Sequence, residues 1–211
     1  FFFSDDTFSV NKKRVIQICK KILQKNIKIS WNAISRVNYM NEEVLSWMRK
    51  AGCIQISYGI ESGSEKIRAY LNKKITTHEI EKTFDNTLKY GILPRAYFIY
   101  GSPGESKKTI QESIDLIKKI KPLVVYSSVL SLFPGTALYS RYKKKSNLSD
   151  DIWLHPIEDI KYFETDANLS RDTVISFGKT LRTTYYESLP EIVDAIELID
   201  KKEFYSLHAD F

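Results

Sequence analysis

The chain has only two cysteines in 211 residues, Cys19 and Cys53, and no CxxC spacing joins them. A disulfide framework is therefore excluded, as is a sulfur-ligated metal centre built from this chain alone. The histidines His78, His155 and His208 are scattered without the spacing of a zinc site. No apolar run reaches the length of a membrane-spanning helix and no signal peptide is present, so we expect a cytoplasmic protein with no membrane partner.

Charge of one sign is not strongly in excess. The net charge of +6 comes from 32 Lys and Arg against 26 Asp and Glu. Most surplus lysines fall on helix faces or in the run Lys143–Lys145, and aromatic residues are not interleaved with them at a fixed spacing. This pattern is typical of solvated surface and disfavours a nucleic-acid partner. A hydrophobic content of 43% is enough for one sizeable core.

The chain begins without a methionine, in the apolar run Phe1–Phe3. Such a run is typical of the middle of a buried strand, which has a neighbouring strand on each side. We therefore expect the chain to be a fragment of a longer protein.

Apolar strands alternate with amphipathic helices along the first two thirds of the chain. Strands are predicted near residues 1, 28, 54, 95 and 124, the second of them over 28–33, and helix caps are predicted at Asn11, Asn41 and Thr76. This alternation favours a parallel sheet with right-handed crossovers. Beyond Leu132 the rhythm stops, and two helices are predicted over 170–188 and 190–202.

Two glycine-rich corners stand where an apolar strand gives way to a helix. The first spans Ile56–Ser64 and the second spans Phe98–Ser106. Glycine lets the backbone approach a ligand closely, and the helix that follows directs unpaired N–H groups into the same space. Two such corners at the same ends of parallel strands predict one small-molecule site.

The motifs at successive strand ends resemble those of the radical S-adenosylmethionine superfamily, and most closely its branch fused to a cobalamin-binding domain. Five motifs occur in order: Phe3-Ser4-Asp5-Asp6-Thr7-Phe8, Asn32–Arg36, Gly59–Ser64, Gly101–Glu105 and Pro134–Tyr139. The resemblance covers residues 1 to about 142. Tyr162–Thr165 is the best local match in the region that follows.

The resemblance implies an α/β fold, a partial (β/α)6 TIM-like barrel that here lacks its first strand. It divides the chain into a barrel over 1–142 and a helical C-terminal extension over 143–211. It implies S-adenosylmethionine and a [4Fe–4S] cluster as cofactors, with the CxxxCxxC ligands upstream of Phe1, and cobalamin where an upstream domain carries it. A small-molecule substrate and a reductant such as flavodoxin or ferredoxin are the implied partners of the parent enzyme.

The family's cofactor-binding positions fall on ten residues. They are Asp5, Asp6, Asn32, Arg36, Glu61, Ser62, Ile99, Gly101, Pro103 and Leu132. The corner of Asp5 and Asp6 corresponds to the one that approaches the methionine amino group, although Asp5 can equally cap a turn. Glu61 and Ser62 correspond to the ribose and methionine region, with helix capping by Ser62 or Ser64 as the alternative.

The remaining positions concern the carboxylate and adenine ends of the cofactor. Arg36, with Asn32 after the same strand, can pair with a carboxylate of the cofactor or of a neighbouring loop. Ile99 corresponds to the residue that packs on the base, and Leu132 to the end of the adenine pocket. The family pattern G-x-I-x-G-x-x-E is only partly met, because Tyr97 replaces the first glycine and the acid comes one residue late, at Glu105. Helix N-terminal charge explains Glu105 equally well.

The implied activity is that of a cobalamin-linked methyltransferase or a related carbon-radical enzyme that generates a 5′-deoxyadenosyl radical. Without the cluster cysteines, this chain by itself is expected to be inactive. Three alternatives stay open: a radical methylthiotransferase acting on tRNA or protein, a non-catalytic nucleotide-binding half-barrel, and an ordinary phosphate-binding barrel. A small β-barrel after residue 142 would favour the methylthiotransferase, whereas helices are predicted there.

Overall fold

A computed structural model describes residues 1–147, 149–153 and 164–187 of the chain. The strands are β1 (Phe2–Phe3), β2 (Trp31–Ser35), β3 (Cys53–Glu61), β4 (Leu93–Tyr100) and β5 (Val124–Val129). The helices are α1 (Lys12–Gln24), α2 (Glu42–Lys50), α3 (Glu65–Tyr70), α4 (Thr77–Lys89), α5 (Lys107–Ile120), α6 (Ala137–Ser146) and α7 (Arg171–Glu187). Short 3-10 turns occur at Phe8–Val10, Val37–Tyr39 and Asp150–Trp153.

The five strands form one sheet in the order of the sequence, and every neighbouring pair is parallel. Each strand is followed by at least one helix, as the alternation predicted. The sheet is not closed. The α/β architecture predicted from the sequence is confirmed, as a parallel sheet of barrel type.

The two faces of the sheet differ sharply in burial. On β4, Pro94, Ala96, Phe98 and Tyr100 are buried, while the residues between them are only half-buried. The buried set faces the helices and joins their apolar stripes in one core. We call the opposite side the open face; the register places on it the residues Asn32, Ile34, Gln55, Ser57, Gly59, Arg95, Tyr97, Ile99, Tyr126 and Ser128. Several of these side chains are polar, which is unusual for a parallel sheet, since such sheets are normally covered on both faces.

The predicted helix caps are confirmed. Asn11 and Asn41 accept hydrogen bonds from the amides of Arg14 and Val44, and Thr76 forms a capping box with Glu79. Ser64 holds the cap position of α3, but its side chain makes no capping bond. These are local interactions, which explains why the sequence predicts most of them.

The second strand begins three residues later than predicted, at Trp31 rather than Lys28. The buried indole of Trp31 packs edge-on against Phe3 and Phe8, and its Nε1 donates to the carbonyl of Ala51 at 2.6 Å. Lys28 is exposed before the strand begins. This tertiary packing sets the strand's start, so Asn32 lies inside β2 and not after it.

The first helix of the C-terminal region packs on the same core as the sheet. Helix α7 contributes Val174, Phe177, Leu181 and Tyr185 to that core, and the Tyr185 hydroxyl donates to the carbonyl of Leu123 at 2.5 Å. The helix predicted over 170–188 is confirmed as α7. The helix predicted over 190–202, together with Tyr162 and Phe163, lies outside the described residues, and the division at 142/143 stays a prediction. Among the described residues, no helix is long and apolar enough to cross a membrane.

Candidate functional site

Because the strands are parallel, their carboxyl ends lie along one edge of the sheet, where most of the predicted residues lie. At the end of β3, Glu61 adopts a left-handed conformation with φ of 71° and follows a register shift after Gly59. Left-handed backbone is costly for a residue with a Cβ and clusters at functional sites. The Glu61 carboxylate accepts a hydrogen bond from Nζ of Lys73 at 2.6 Å, and both side chains are more than 80% buried, being 16% and 18% exposed respectively.

Lys73 reaches Glu61 because a buried arginine shapes the loop that carries it. Arg68 donates from Nη1 to the carbonyl of Ser62 at 2.8 Å and from Nε to the carbonyl of Ile75 at 3.1 Å. Arg68 thus joins the end of the loop, at Ile75, to the segment before α3, at Ser62. The ion pair lies over Gly59, where an added Cβ would come within 2.6 Å of Oε1 of Glu61 and 3.0 Å of Nζ of Lys73. A larger residue at this position would therefore displace the ends of these two side chains.

The side chain of Ser62 is turned away from this edge. It is buried, accepts from the amide of Ser64 at 3.1 Å and lies 3.4 Å from the hydroxyl of Ser113 on α5. A ligand role for Ser62 would therefore have to come from its backbone.

Asn32 and Arg36 were both predicted to follow the second strand, and the structure places them at different levels of the sheet. Arg36 lies at the carboxyl edge, half-buried, with its guanidinium 5.7 Å from the ring centroid of Tyr39. Its Nε is buried and has no hydrogen-bond partner, and no carboxylate pairs with it in the part of the chain that the structure describes. Asn32 lies on the open face lower in the sheet, beside Gln55. Its predicted place after the strand was wrong, because β2 runs from Trp31 to Ser35 and Asn32 is its second residue.

The two aspartates after β1 differ in their surroundings. Oδ1 of Asp5 accepts from Nη2 of Arg14 on α1 at 3.2 Å, an ion pair at the surface. The carboxylate of Asp6 lies exposed in the same turn. Both residues remain at the carboxyl edge, and Asp5 already has a structural partner there.

The corner after β4 is organised around a buried acid. Gly101 has φ of 87°, and its amide donates to Oε2 of Glu105. Burial raises the pKa of the Glu105 carboxyl to about 7, against the lowering effect of hydrogen bonds from the amides of Gly101 and Ser102. Oε1 of Glu105 and Oγ of Ser102 are buried without partners among the described residues. Glu105 therefore fixes the turn from within, which goes beyond a favourable charge at a helix terminus.

Ile99, Pro103 and Leu132 occupy different depths near this corner. Ile99 is half-buried on the open face opposite Ser128, and the register places it next to the end of β3. Pro103 is half-buried in the turn. Leu132 is buried in a small cluster with Tyr139 on α6. The structure thus brings Glu61, Ile99 and the Gly101 corner together at adjoining strand ends.

Two kinds of residue at this site were missed by the sequence reasoning. Lys73 lies in a loop between two helices, and nothing in its local pattern predicts that it contacts Glu61. Arg95, Tyr97 and Tyr126 lie on the open face below the edge, and the rings of Tyr97 and Tyr126 stack with centroids 5.0 Å apart at 20°. The half-polar pattern of β4 was the available signal for these residues.

Two clefts lie outside the open face, and the second borders the glycine corners through Ser64 and Ser106. One, of about 290 Å³, is lined by residues 26–30 and the end of α2, at the amino ends of the strands. The other, of about 630 Å³, lies between the starts of α3, α4 and α5 and is lined by both lysine and acidic side chains.

The described residues offer no metal centre. No group of three His, Cys, Asp or Glu side chains among them is placed to hold an ion. Cys19 and Cys53 are both buried in the core, and burial raises the pKa of the Cys19 thiol to about 12. Burial also raises the pKa of Cys53. Neither thiol is poised to ionise, so the described part of the chain does not fit an iron–sulfur cluster.

An open parallel sheet with glycine corners and charged groups at its carboxyl edge is the arrangement of an α/β protein that binds a small ligand at the strand ends. A sequence profile of the radical SAM superfamily matches residues 1–117, more than half of the 211 residues, and the chain belongs to that superfamily. Its members are enzymes that use S-adenosylmethionine and a [4Fe–4S] cluster. The resemblance noted from the five motifs is thereby confirmed.

Among the relatives, methyltransferases are prominent. An uncharacterised methyltransferase of Pyrococcus horikoshii is 33% identical over 182 residues, covering 83% of this chain and 40% of the relative. The bacteriochlorophyllide d C-12(1)-methyltransferase of Chlorobaculum tepidum is 28% identical over 147 residues, covering 69% of this chain and 32% of the relative. The chain thus spans less than half the length of either protein.

The radical S-adenosylmethionine methyltransferase TsrM from Kitasatospora setae has the same fold. Its structure with cobalamin and a [4Fe–4S] cluster bound matches with a TM-score of 0.62 at 17% identity, covering 68% of this chain and 28% of that one. A second structure, with tryptophan and a SAM analogue, matches with a TM-score of 0.63 at 17% identity over 68% and 29% of the two chains. At this identity the likeness concerns the fold.

Proposed function

We propose that this chain forms the S-adenosylmethionine-binding part of a radical methyltransferase of the cobalamin-linked kind. The observation that carries the proposal is the meeting of Arg36, Glu61 and Ile99 at one edge of the sheet, in a chain that belongs to the radical SAM superfamily. The methyltransferase names of its relatives support the reaction class.

The groups at the edge suit the two ends of the cofactor. The buried Nε of Arg36 is without a partner in the described residues, and a guanidinium is well matched to the carboxylate of S-adenosylmethionine. Glu61 can accept hydrogen bonds from the ribose hydroxyls once its ion pair with Lys73 opens. Lys73 can then pair with the carboxylate of S-adenosylmethionine. Ile99 offers an apolar surface for the adenine, and Asp5, Asp6 and the backbone at Ser62, Gly101, Pro103 and Leu132 complete the proposed site.

When bound, S-adenosylmethionine would supply a 5′-deoxyadenosyl radical on one-electron reductive cleavage or, in a separate two-electron transfer to a nucleophile, its methyl group. The described residues do not fit the cluster, so we place its ligands outside them, together with any cobalamin. The proposal includes a small-molecule substrate, a one-electron reductant of the flavodoxin or ferredoxin type, and a cytoplasmic location. Among the described residues after 142, only helical elements occur and no strand is present, which favours the methyltransferase over the methylthiotransferase alternative.

The proposal predicts that Glu61→Gln weakens S-adenosylmethionine binding by about tenfold. The substitution removes a charged acceptor, whose hydrogen bonds contribute roughly 1.5–3 kcal/mol each, but keeps the shape of the side chain. Calorimetric titration of the full-length gene product with S-adenosylmethionine measures the effect. The matched control is Glu43→Gln, which changes an exposed carboxylate on α2.

Equal affinity of the Glu61→Gln and Glu43→Gln variants would contradict the placement of the cofactor at this edge. Failure of the full-length protein to bind S-adenosylmethionine at all would contradict the proposed function itself. A full-length sequence without three cysteines in CxxxCxxC spacing ahead of Phe1 would remove the radical chemistry.

A further inference from the structure

The open face carries a guanidinium that has no counter-ion in the described part of the chain. Arg95 points from β4 into this face, and no carboxylate of a described residue lies within ion-pair distance of it. Its Nη1 donates to Oε1 of Gln55 at 3.4 Å and its Nη2 donates to the hydroxyl of Tyr126. Its Nε is buried and has no acceptor among the described residues. A partly desolvated cation held by neutral groups is a favourable place for one negative charge.

An aromatic surface lies directly beside this cation. The Arg95 guanidinium lies 4.8 Å from the centroid of the Tyr126 ring, and that ring stacks on Tyr97. Tyr126 is 38% exposed although it projects from a strand of the sheet. Opposite Tyr97 on β3 stands Gly59, and the Glu61–Lys73 ion pair lies over that glycine. Stacking covers one face of each ring, so the apolar surface accessible from the open face is the exposed part of the Tyr126 ring together with the edge of Tyr97.

The spacing along β4 relates this surface to the proposed cofactor edge. Arg95, Tyr97 and Ile99 occupy alternate positions of the strand, so all three face the same side. At about 3.3 Å per residue, Arg95 lies about 13 Å below Ile99 and Tyr97 lies about 7 Å below it. If one end of a molecule about 13 Å long binds Arg95, its other end reaches the cofactor edge at Ile99.

We propose that Arg95, Tyr97 and Tyr126 bind the substrate, and that the substrate has a flat conjugated body with a single carboxylate. The carboxylate pairs with Arg95, whose planar fork matches it in geometry. The flat body packs against the exposed part of the Tyr126 ring and the edge of Tyr97. The reacting atom is then at the far end of the substrate, beside Ile99. Among the described residues of the open face, Arg95 is the one cation without a counter-ion. A substrate with a single negative charge is therefore favoured over a phosphate ester.

This inference rests on the proposed function, and its test uses the full-length protein with and without S-adenosylmethionine. The probes are 2-naphthoate, its neutral analogue 2-naphthamide, and the non-planar cyclohexanecarboxylate, each titrated by calorimetry. We expect 2-naphthoate to bind at least about tenfold more tightly than either of the other two, because only it satisfies both the charge and the flat surface.

The variants separate recognition from folding. Arg95→Gln should reduce 2-naphthoate affinity at least about tenfold and leave 2-naphthamide affinity and S-adenosylmethionine affinity unchanged. Arg95→Lys, which keeps the charge, should retain part of the affinity, and Tyr126→Leu should abolish the preference for naphthoate over cyclohexanecarboxylate. Arg171→Gln, at the exposed start of α7, is the control for loss of a positive charge and should have no effect.

Three results would overturn the inference. They are no measurable binding of 2-naphthoate, equal binding of 2-naphthoate and 2-naphthamide, or a structure of the full-length protein in which a carboxylate of the same chain pairs with Arg95. Each can occur while S-adenosylmethionine still binds, and the proposed function would then stand without this substrate assignment.

Discussion

The fold strongly alters the protonation of the Glu105 carboxyl. It is 6% exposed and accepts from the amide of Gly101, the residue at which the chain turns out of β4. One of its oxygens remains without a partner among the described residues. Its protonated form is therefore favoured in the folded state, and the corner depends on the ionisation of this group.

This burial predicts a loss of stability as the pH rises. The folded-state pKa of about 7 is above the ordinary value of 4.5, so between these values the folded protein binds more protons than the unfolded one. The free energy of unfolding should therefore fall as the pH rises from 4.5 to 7, by up to roughly 3 kcal/mol, and then become constant with respect to this group. Urea denaturation at closely spaced pH values measures the slope.

The variant Glu105→Gln isolates this effect from other titrating groups. The amide keeps an acceptor for Gly101 and cannot ionise, so the variant should lack the downward slope and be more stable than the natural chain at pH 8. Glu43→Gln, at an exposed site, should keep the slope. Parallel pH profiles for Glu105→Gln and the unmodified chain would show that the carboxyl is not held protonated.

At the scale of elements, the close packing of α7 against the sheet depends on one small residue. An added Cβ at Gly178 would come within 2.4 Å of Cζ of Tyr100 and 2.7 Å of its Cε2. The Tyr100 ring is therefore pressed against the helix backbone at this point. Arg182, one turn further along α7, donates from Nη1 to the Tyr100 hydroxyl at 3.5 Å.

Gly178→Ala should consequently destabilise the chain, although alanine is the better helix former. Overpacking against a rigid ring costs about 1–3 kcal/mol, and the gain in helix propensity offsets up to about 1 kcal/mol of it. In a Tyr100→Leu background the same substitution should be neutral or stabilising, because the ring is gone. Chemical denaturation of the four proteins gives the coupling energy, and additive effects of the two substitutions would contradict the contact.

The elements themselves were largely predictable from the sequence, because their signals are local. The cap residues Asn11, Asn41 and Thr76 and the apolar stripe of α1 depend on positions a few residues apart. The start of β2 was mispredicted because it depends on Trp31 packing with Phe3 and Phe8, which no local pattern shows.

The site was predictable only where a family motif marks it. Glu61, Ile99 and Gly101 follow from the motifs at the strand ends. Lys73 and Arg95 do not, because their roles arise from the shape of a loop and from the register of β3, β4 and β5. Both residues contact partners that are not their neighbours in sequence. The half-polar pattern of β4 indicates the face on which Arg95 lies, but it does not indicate which residues Arg95 contacts.

At the scale of the whole molecule, the five-stranded sheet ends at β1 with an apolar edge. No described strand pairs with the outer side of β1. Its inner side is paired, since the carbonyl of Phe1 accepts from the amide of Asn32 at 3.0 Å. Phe1 and Phe2 are 82% and 53% exposed. An uncovered apolar edge strand is a template for pairing with another chain.

The 211-residue chain should therefore self-associate through β1 in a concentration-dependent manner. Phe2→Lys should suppress the association, because a charged side chain on an edge strand opposes pairing with a second sheet. The matched control is Phe133→Lys, which removes an aromatic residue of similar exposure from the turn after β5, away from the edge. Sedimentation velocity over a range of concentrations measures both variants against the unmodified chain. If Phe133→Lys abolishes the association and Phe2→Lys leaves it intact, the contact lies elsewhere. If the unmodified chain is a monomer at every concentration, the β1 edge does not pair with a second chain.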